Sequence, residues 1–488
     1  MGVLARAAVL WNAGFNILKD VLQFVITMVL ARLLTEQDYG QFGFVTGIIG
    51  FLILFSCQPF FAHLLQPKEV HAEDYQRHFT LGVQLNLGIF LLANLVALAL
   101  RAFPQWAAAA PYVHAMSVMF LLDAPCELRR KMIEREFDWK KLRILQSIGL
   151  LINLAAALAM AWVGWGAYAL LIPALGVQLP FIYDLFIRQG WRPTWQFDAE
   201  RHREAFQFGF TRIGSGLSLS GRALLEAGAL VAVLGFGGLG LMNRAIGLAQ
   251  LCCLKIASQL VYSLYPLLTR AEETEENRGR IAGLVLQGIA WLSIPTAVVF
   301  GMLALPVIRV VYGDRWVAAV PLVPWAMAWG FTAAFVQALY TLLLAKNHVR
   351  LCFISDIASL GLTALSLYFA LPYGTTTYLV ASASAQILIA CALLTLLTRN
   401  GLLRWSAVTT AILPPAISSG LAALAAFGLQ QGLFSTQPAS FWPAMLWGCV
   451  FLIVFTMILR SLFGRSLANL VNYLPGGRIM RKALLLPA

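Results

Sequence analysis

Charge is what this sequence has least of. Only 12% of its 488 residues are Asp, Glu, Lys or Arg, against roughly 25% in a soluble domain. There are six histidines, and no His/Cys cluster or C-x-x-C pair appears. The seven cysteines (Cys57, Cys126, Cys252, Cys253, Cys352, Cys391, Cys449) all lie in or beside apolar segments, so neither a disulfide framework nor a metal site is expected. No catalytic triad and no nucleotide-binding loop can be drawn, and no cofactor is expected. The motif GFGGLG (235–240) satisfies G-x-G-x-x-G, but no strand precedes it. It reads as a flexible turn between two spans, not a dinucleotide site. The acidic run EETEEN (272–277) reads as a solvated loop.

What the chain has is apolar length. It is 60% hydrophobic, which makes it an integral membrane protein. Fourteen runs approach the 20 or so residues that cross a hydrocarbon core: 8–31, 41–62, 79–100, 110–128, 144–164, 166–187, 207–231, 241–267, 282–305, 318–345, 351–371, 375–398, 405–429 and 441–460. The first run reads as a full span, not a cleavable leader. Gly164 to Gly166 must form a very tight turn. The expected fold is an all-α polytopic membrane protein of about 14 transmembrane helices.

The net charge of +13 does not indicate nucleic acid, because the cations follow the loops. With the N-terminus in the cytoplasm, 26 of the 35 Lys and Arg residues fall on the cytoplasmic side and four (Arg32, Arg101, Arg309, Arg315) on the other. Such a bias fixes orientation and places both termini in the cytoplasm. The other five (Lys19, Arg212, Arg222, Arg244, Lys255) lie inside spans 1, 7 and 8. A shift of 200 residues pairs Gly14 with Gly214, Leu34 with Leu234 and Gly40 with Gly240. It also pairs spans 1–6 with 7–12, as in a duplicated transporter. The expected organisation is an N-lobe (1–190), a C-lobe (205–400), and two further spans with a basic tail (401–488).

Polar residues inside spans are costly and turn away from lipid. In span 1, Asn12, Asn16, Lys19 and Gln23 share one helical face. They form either the wall of a cavity for phosphate or sugar or an interhelical hydrogen-bond seam. Asp20 points about 100° away from Lys19 and is free to meet a cation of span 7 or 8. In span 7, Arg212, Ser215, Arg222 and Glu226 share one side. Arg222 and Glu226, at i,i+4, can bridge, and Arg212 can snorkel to the interface. In span 8, Arg244 and Lys255 lie eleven residues apart on one face, which Gln259 and Tyr262 extend; Arg244 can snorkel. Five cations against Asp20 and Glu226 leave a positive surplus suited to an anionic diphosphate. Asp123 and Glu127 in span 4 would reduce it. Glu127 is expected with the basic loop, and Asp184 and Asp356 at the membrane interface.

Several stretches carry a family resemblance. ARLLTEQDYGQFGF (31–44), LRRKMIEREFDWKKL (128–142), GWGAYALL (164–171), WRPTWQFD (191–198), FGFTRIGSGLSLSGRALLEAGALVAVLGFGGLGLMNRA (208–245) and YGDRWVAAVPLVPWAMAW (312–329) resemble, in order and spacing, the Wzx-like oligosaccharide flippases of the multidrug/oligosaccharidyl-lipid/polysaccharide superfamily. Where that family often carries Asp in span 7, this chain has Glu226. The resemblance implies two six-helix lobes around a cavity lined mainly by spans 1, 2, 7 and 8. It also implies transfer of undecaprenyl-diphosphate-linked oligosaccharide from the cytoplasmic to the outer leaflet of a bacterial inner membrane, for O-antigen, capsule or exopolysaccharide. Energy would come from H+ or Na+, the membrane potential or substrate consumption. A multidrug antiporter of the same superfamily would want acidic residues facing its cavity. A membrane-embedded polymerase or ligase would want a large outer loop, and every outer loop here is short.

Overall fold

The computed structural model describes residues 19–196, 199–255, 257–261, 275–346, 348–401, 403–433 and 441–473. Every regular element among them is helical. Eleven helices are long and apolar enough to cross a membrane, or twelve if a bent pair counts as one span. The N-terminal part of the first expected span lies outside the described residues; residues 19–33 form helix α1.

The chain divides into two compact units, Met1–Gly240 and Leu241–Ala488. In the first, α2 (Glu36–Ile53) starts where the sequence TEQD builds a capping box. The Thr35 N–H donates to Asp38 Oδ2 at 2.8 Å, and the Asp38 N–H donates to Thr35 Oγ1 at 3.2 Å, closing two N-terminal donors on each other. A short α3 (Cys57–Phe61) continues into a 3₁₀ turn (Ala62–Leu65), and the axis bends by 43° between Glu36–Ile53 and Cys57–Leu65. Then come α4 (Ala72–Leu100), α5 (Ala110–Arg135), α6 (Trp139–Val163) and the irregular α7 (Tyr168–Arg188). Pro125 inside α5 leaves the carbonyl of Leu121 without its helical donor. The tight turn expected at Gly164 to Gly166 forms, with φ of +85° and +54°, a conformation open to glycine.

The longest helix, α8 (Ala199–Ala249), holds the seventh expected span and the start of the eighth. Gly235 breaks it at φ +71°, ψ 178°. Residues 236–240 are helical, which corrects the expectation of a flexible turn at GFGGLG: one glycine makes the break and the helix resumes at once. Gly240 of this motif and Gly40 of α2 serve close packing. A Cβ on Gly40 would sit 1.8 Å from the carbonyl oxygen of Phe236, and one on Gly240 would sit 1.9 Å from that of Glu36. Backbone therefore lies on backbone where α2 meets α8, the mode of helix association that small residues permit. Phe44 stacks on Trp106 beside this contact, and the Trp106 indole N–H donates to the Gly228 carbonyl at 3.2 Å.

The second unit continues α8 through a π turn (Gln250–Leu254) and adds α9 (Glu275–Met302), α10 (Ala304–Val311), α11 (Val323–Ala345), α12 (Val349–Phe369), α13 (Thr375–Arg399), α14 (Trp405–Leu433) and α15 (Phe441–Tyr473). Its main core joins α9, α11, α13 and the start of α14 through Leu286, Ile289, Leu339, Leu343, Leu393 and Ala411.

Candidate functional site

The charged residues inside spans divide between the two units. Lys19 and Asp20 are half-buried in α1, and Gln23 is exposed one turn on. Asn12 and Asn16 lie outside the described residues, as does the side chain of Arg212, whose backbone is helical in α8. Arg222 and Glu226 are half-buried on α8 and engaged by neighbours.

Their direction follows from what packs on the other side of the helix. A Cβ on Gly209 would overlap the Phe60 ring and one on Gly216 would meet Leu54, while Gly47 faces Ala227 and Leu224. At 100° per residue, Arg222 and Glu226 point roughly opposite to these small-residue contacts. Small side chains thus mark the face of α8 that touches α2 and α3. The charged pair occupies the face left over.

In the second unit, the guanidinium of Arg244 lies 5.5 Å from the Tyr312 ring centroid and 5.9 Å from that of Trp316. Both rings are buried. Arg244 is therefore held within the fold, where a cation–π contact can hold a partly desolvated cation. Burial raises the Tyr312 phenol above its ordinary pKa, and the neighbouring Arg244 opposes that rise. Lys255 is half-buried immediately after the π turn, and Gln259 is exposed one turn on. Both are engaged by neighbours. Such π turns are frequent at functional sites. Tyr262 lies outside the described residues.

Two buried polar clusters were not read from sequence as sites. In the first, Arg129 Nε meets Asp184 Oδ2 at 2.6 Å with both side chains 2% exposed, and Lys141 Nζ reaches the same oxygen at 2.8 Å. Asp184, expected at the membrane interface near the end of its span, is the buried anion joining α5, α6 and α7. Glu127 does join the basic segment as expected, although the first part of that segment continues helix α5. It is buried in α5, bridging Arg130 at 2.9 Å and Lys131 at 3.3 Å. In the second cluster, Asp123 receives hydrogen bonds from Gln58 Nε2 at 3.1 Å, Gln178 Nε2 at 3.5 Å and Cys57 Sγ at 3.6 Å. Asn86 Oδ1 accepts the Cys57 N–H at 2.8 Å. The available signal was the i,i+4 pair Asp123/Glu127 inside an apolar run, with Gln58, Asn86 and Gln178 in runs of their own. In the second unit, Asp356 accepts from Tyr340 Oη at 3.0 Å and is half-buried. Among the described residues, no three His, Cys, Asp or Glu side chains are placed to hold a metal ion.

The family model for "Polysaccharide biosynthesis protein" matches residues 29–321, a stretch that contains α2 to α8 and most of the charged residues above. The chain belongs to this family. Similar curated proteins are the succinoglycan biosynthesis transport protein ExoT of Rhizobium meliloti, 22% identical over 64% of each chain, and the teichuronic acid biosynthesis protein TuaB of Bacillus subtilis, 22% identical over 75% of this chain and 76% of TuaB. In fold, the chain is similar to the lipid II flippase MurJ in its inward closed conformation. That match has a TM-score of 0.69 and 13% identity, and covers 91% of this chain and 99% of MurJ. An inward-facing multidrug resistance MATE family transporter of the MOP superfamily matches with a TM-score of 0.58 and 14% identity, over 79% of this chain and 94% of that one. This polysaccharide biosynthesis family member is thus a multi-pass membrane protein with the MurJ/MATE-like fold, and its family and structural neighbours are transporters and flippases, not enzymes.

Proposed function

We propose that the protein is a flippase that carries undecaprenyl-diphosphate-linked oligosaccharide from the cytoplasmic to the outer leaflet of a bacterial inner membrane, in surface polysaccharide synthesis. It is organised as two six-span lobes with two appended spans and both termini cytoplasmic. Lys19, Arg222 and Lys255 contact the diphosphate. Arg212, Arg244, Asn12, Asn16 and Gln23 extend the polar lining, and Asp20 and Glu226 serve as charge partners or in coupling to H+ or Na+. The head group crosses inside while the prenyl tail stays in lipid.

The observation that carries this reading is the placement of Arg222 with Glu226 on the face of α8 opposite its small-residue contacts. A helix that packs through glycine and alanine on one side, and keeps a half-buried guanidinium on the other, reserves that second side for something polar. ExoT and TuaB are named for polysaccharide and teichuronic acid synthesis, and an anionic lipid carrier suits a surplus of intramembrane cations. The multidrug antiporter reading shares the fold, so fold does not separate the two; the sign of the charge favours the flippase.

The test uses a strain lacking this chain. Lys19→Ala, Arg222→Ala and Lys255→Ala are each expressed to wild-type membrane level, and surface polysaccharide is measured. Loss of a charge-assisted phosphate contact weakens binding by about 1.5–3 kcal/mol, roughly ten- to a hundredfold. Export should fall accordingly. Wild-type export by all three variants would remove the cationic site from the account.

A further inference from the structure

We propose that Asp123 is a proton-binding site of this transporter, formed with Gln58 and Gln178 where the second span bends. The inference rests on the transporter reading but not on the identity of the carried lipid.

Asp123 sits midway along α5 with 3% of its surface exposed. Its hydrogen-bond partners, Gln58, Gln178 and Cys57, are all neutral donors. A buried carboxylate without a cation is costly. The nearest cations on its own helix are committed elsewhere. Glu127, one turn on, holds Arg130 and Lys131, and Lys131 also meets Glu134.

The second observation is an acceptor without a donor. Gln178 is 8% exposed, and its Oε1 is buried with no hydrogen-bond partner, while its Nε2 faces Asp123 Oδ1. One proton resolves both defects. A proton taken from water onto a carboxyl oxygen of Asp123 removes the charge. Rotation of the Gln178 amide then lets the new O–H donate to Oε1. Release on the other side of the membrane returns the carboxylate and the Gln178 Nε2 donation.

The site also has a joint to act on. Gln58 and Cys57 begin α3, at the 43° bend that follows α2, and Pro125 lies two residues beyond Asp123. Reassigning the carboxyl's donors changes what holds α3 against α5, so a local charge change acts directly on the bend. Other charged or titratable groups around Asp123 are few. Its own helix presents Cys126, Glu127 and Arg130, and α3 presents Cys57. In α7, Asp184 is occupied by Arg129 and Lys141. The charged residues of α2 (Glu36, Asp38) lie in its first turn. Those of α4 (Glu73, Asp74, Arg77, with His78) and α6 (Lys140, Lys141, Arg143) lie in their first two turns.

The test needs no variant to fold. Dicyclohexylcarbodiimide enters apolar sites and adds across its C=N bond only to a protonated carboxyl, leaving an acylurea that peptide mass mapping locates. The purified full chain, in nanodiscs, is treated across a range of pH in sodium chloride and in choline chloride. The adduct is expected on Asp123, several-fold more abundant at acid than at alkaline pH and equal in the two salts. No adduct on Asp123, or one independent of pH, would overturn the proposal. Protection by sodium but not choline would overturn it in favour of a sodium site. In cells, Asp123→Asn at wild-type protein level should lose most export and Asp123→Glu should retain it; undiminished export by Asp123→Asn would also overturn the role. Failure of the flippase reading would leave the labelling pattern intact, so the two are separable.

Discussion

Replacing Gly40 by Ala is the sharpest perturbation of the packing that presents the charged face of α8. The added Cβ would lie 1.8 Å from the carbonyl oxygen of Phe236 and 2.9 Å from its Cα, and real Cβ contacts stop near 3.0 Å. The neighbour is backbone, so no side chain can swing away. α2 and the segment after Gly235 must separate by more than 1 Å at that point. Separation loosens the reciprocal contact of Gly240 with Glu36, the Phe44–Phe236 ring contact at 6.0 Å and the nearby Trp106 bond to Gly228. Overpacking of this kind costs about 1–3 kcal/mol. Gly50 is the internal control. It lies in the same helix with nothing within 4 Å of its Cβ position, so Gly50→Ala should gain about 0.5–1 kcal/mol from reduced backbone entropy. The assay is the temperature at which half of the detergent-purified protein remains monodisperse. Gly40→Ala should fall clearly below wild type and Gly50→Ala should match or exceed it. Equal behaviour of the two variants would refute the close backbone contact.

Asp184→Ala strands Arg129 in a site with 2% exposure, and should destabilise the protein by about 3–5 kcal/mol. The paired change Arg129→Met with Asp184→Leu should recover part of that loss in the same thermal assay. Arg222→Ala with Glu226→Ala should restore protein level relative to Arg222→Ala alone but should not restore surface polysaccharide. Full recovery of export would make Arg222 a structural residue. Reporter fusions should place residue 135 and both termini in the cytoplasm and residue 35 outside; residues 35 and 135 on one side would refute the topology.

Most spans were legible because apolar length is a one-dimensional property, although the described residues hold eleven or twelve such helices against the fourteen expected. The turn at Gly164 to Gly166 and the shared face of Arg222 and Glu226 were legible because they are local. What stayed hidden depends on partners far along the chain. Asp184 reads as a lone carboxylate near a span end until Arg129, 55 residues earlier, is placed on it. Asp123 reads as a minor offset to a cationic surplus until Gln58 and Gln178 close around it. Gly40 and Gly240 align in the 200-residue shift, yet only the fold shows that each lies against the backbone beside the other. GFGGLG reads as a loop from composition, and only the backbone shows that a single residue makes the break.

The central claim is transfer of a lipid-linked, diphosphate-bearing head group. Vesicles containing undecaprenyl-diphosphate-linked oligosaccharide, with and without the purified chain, are treated with a membrane-impermeant oxidant of sugar diols. In protein-free vesicles only the outer-leaflet share should react. With the protein, nearly the whole pool should react, and Arg222→Ala at equal protein density should slow that reaction by roughly ten- to a hundredfold. An accessible fraction unchanged by the wild-type protein would contradict the account.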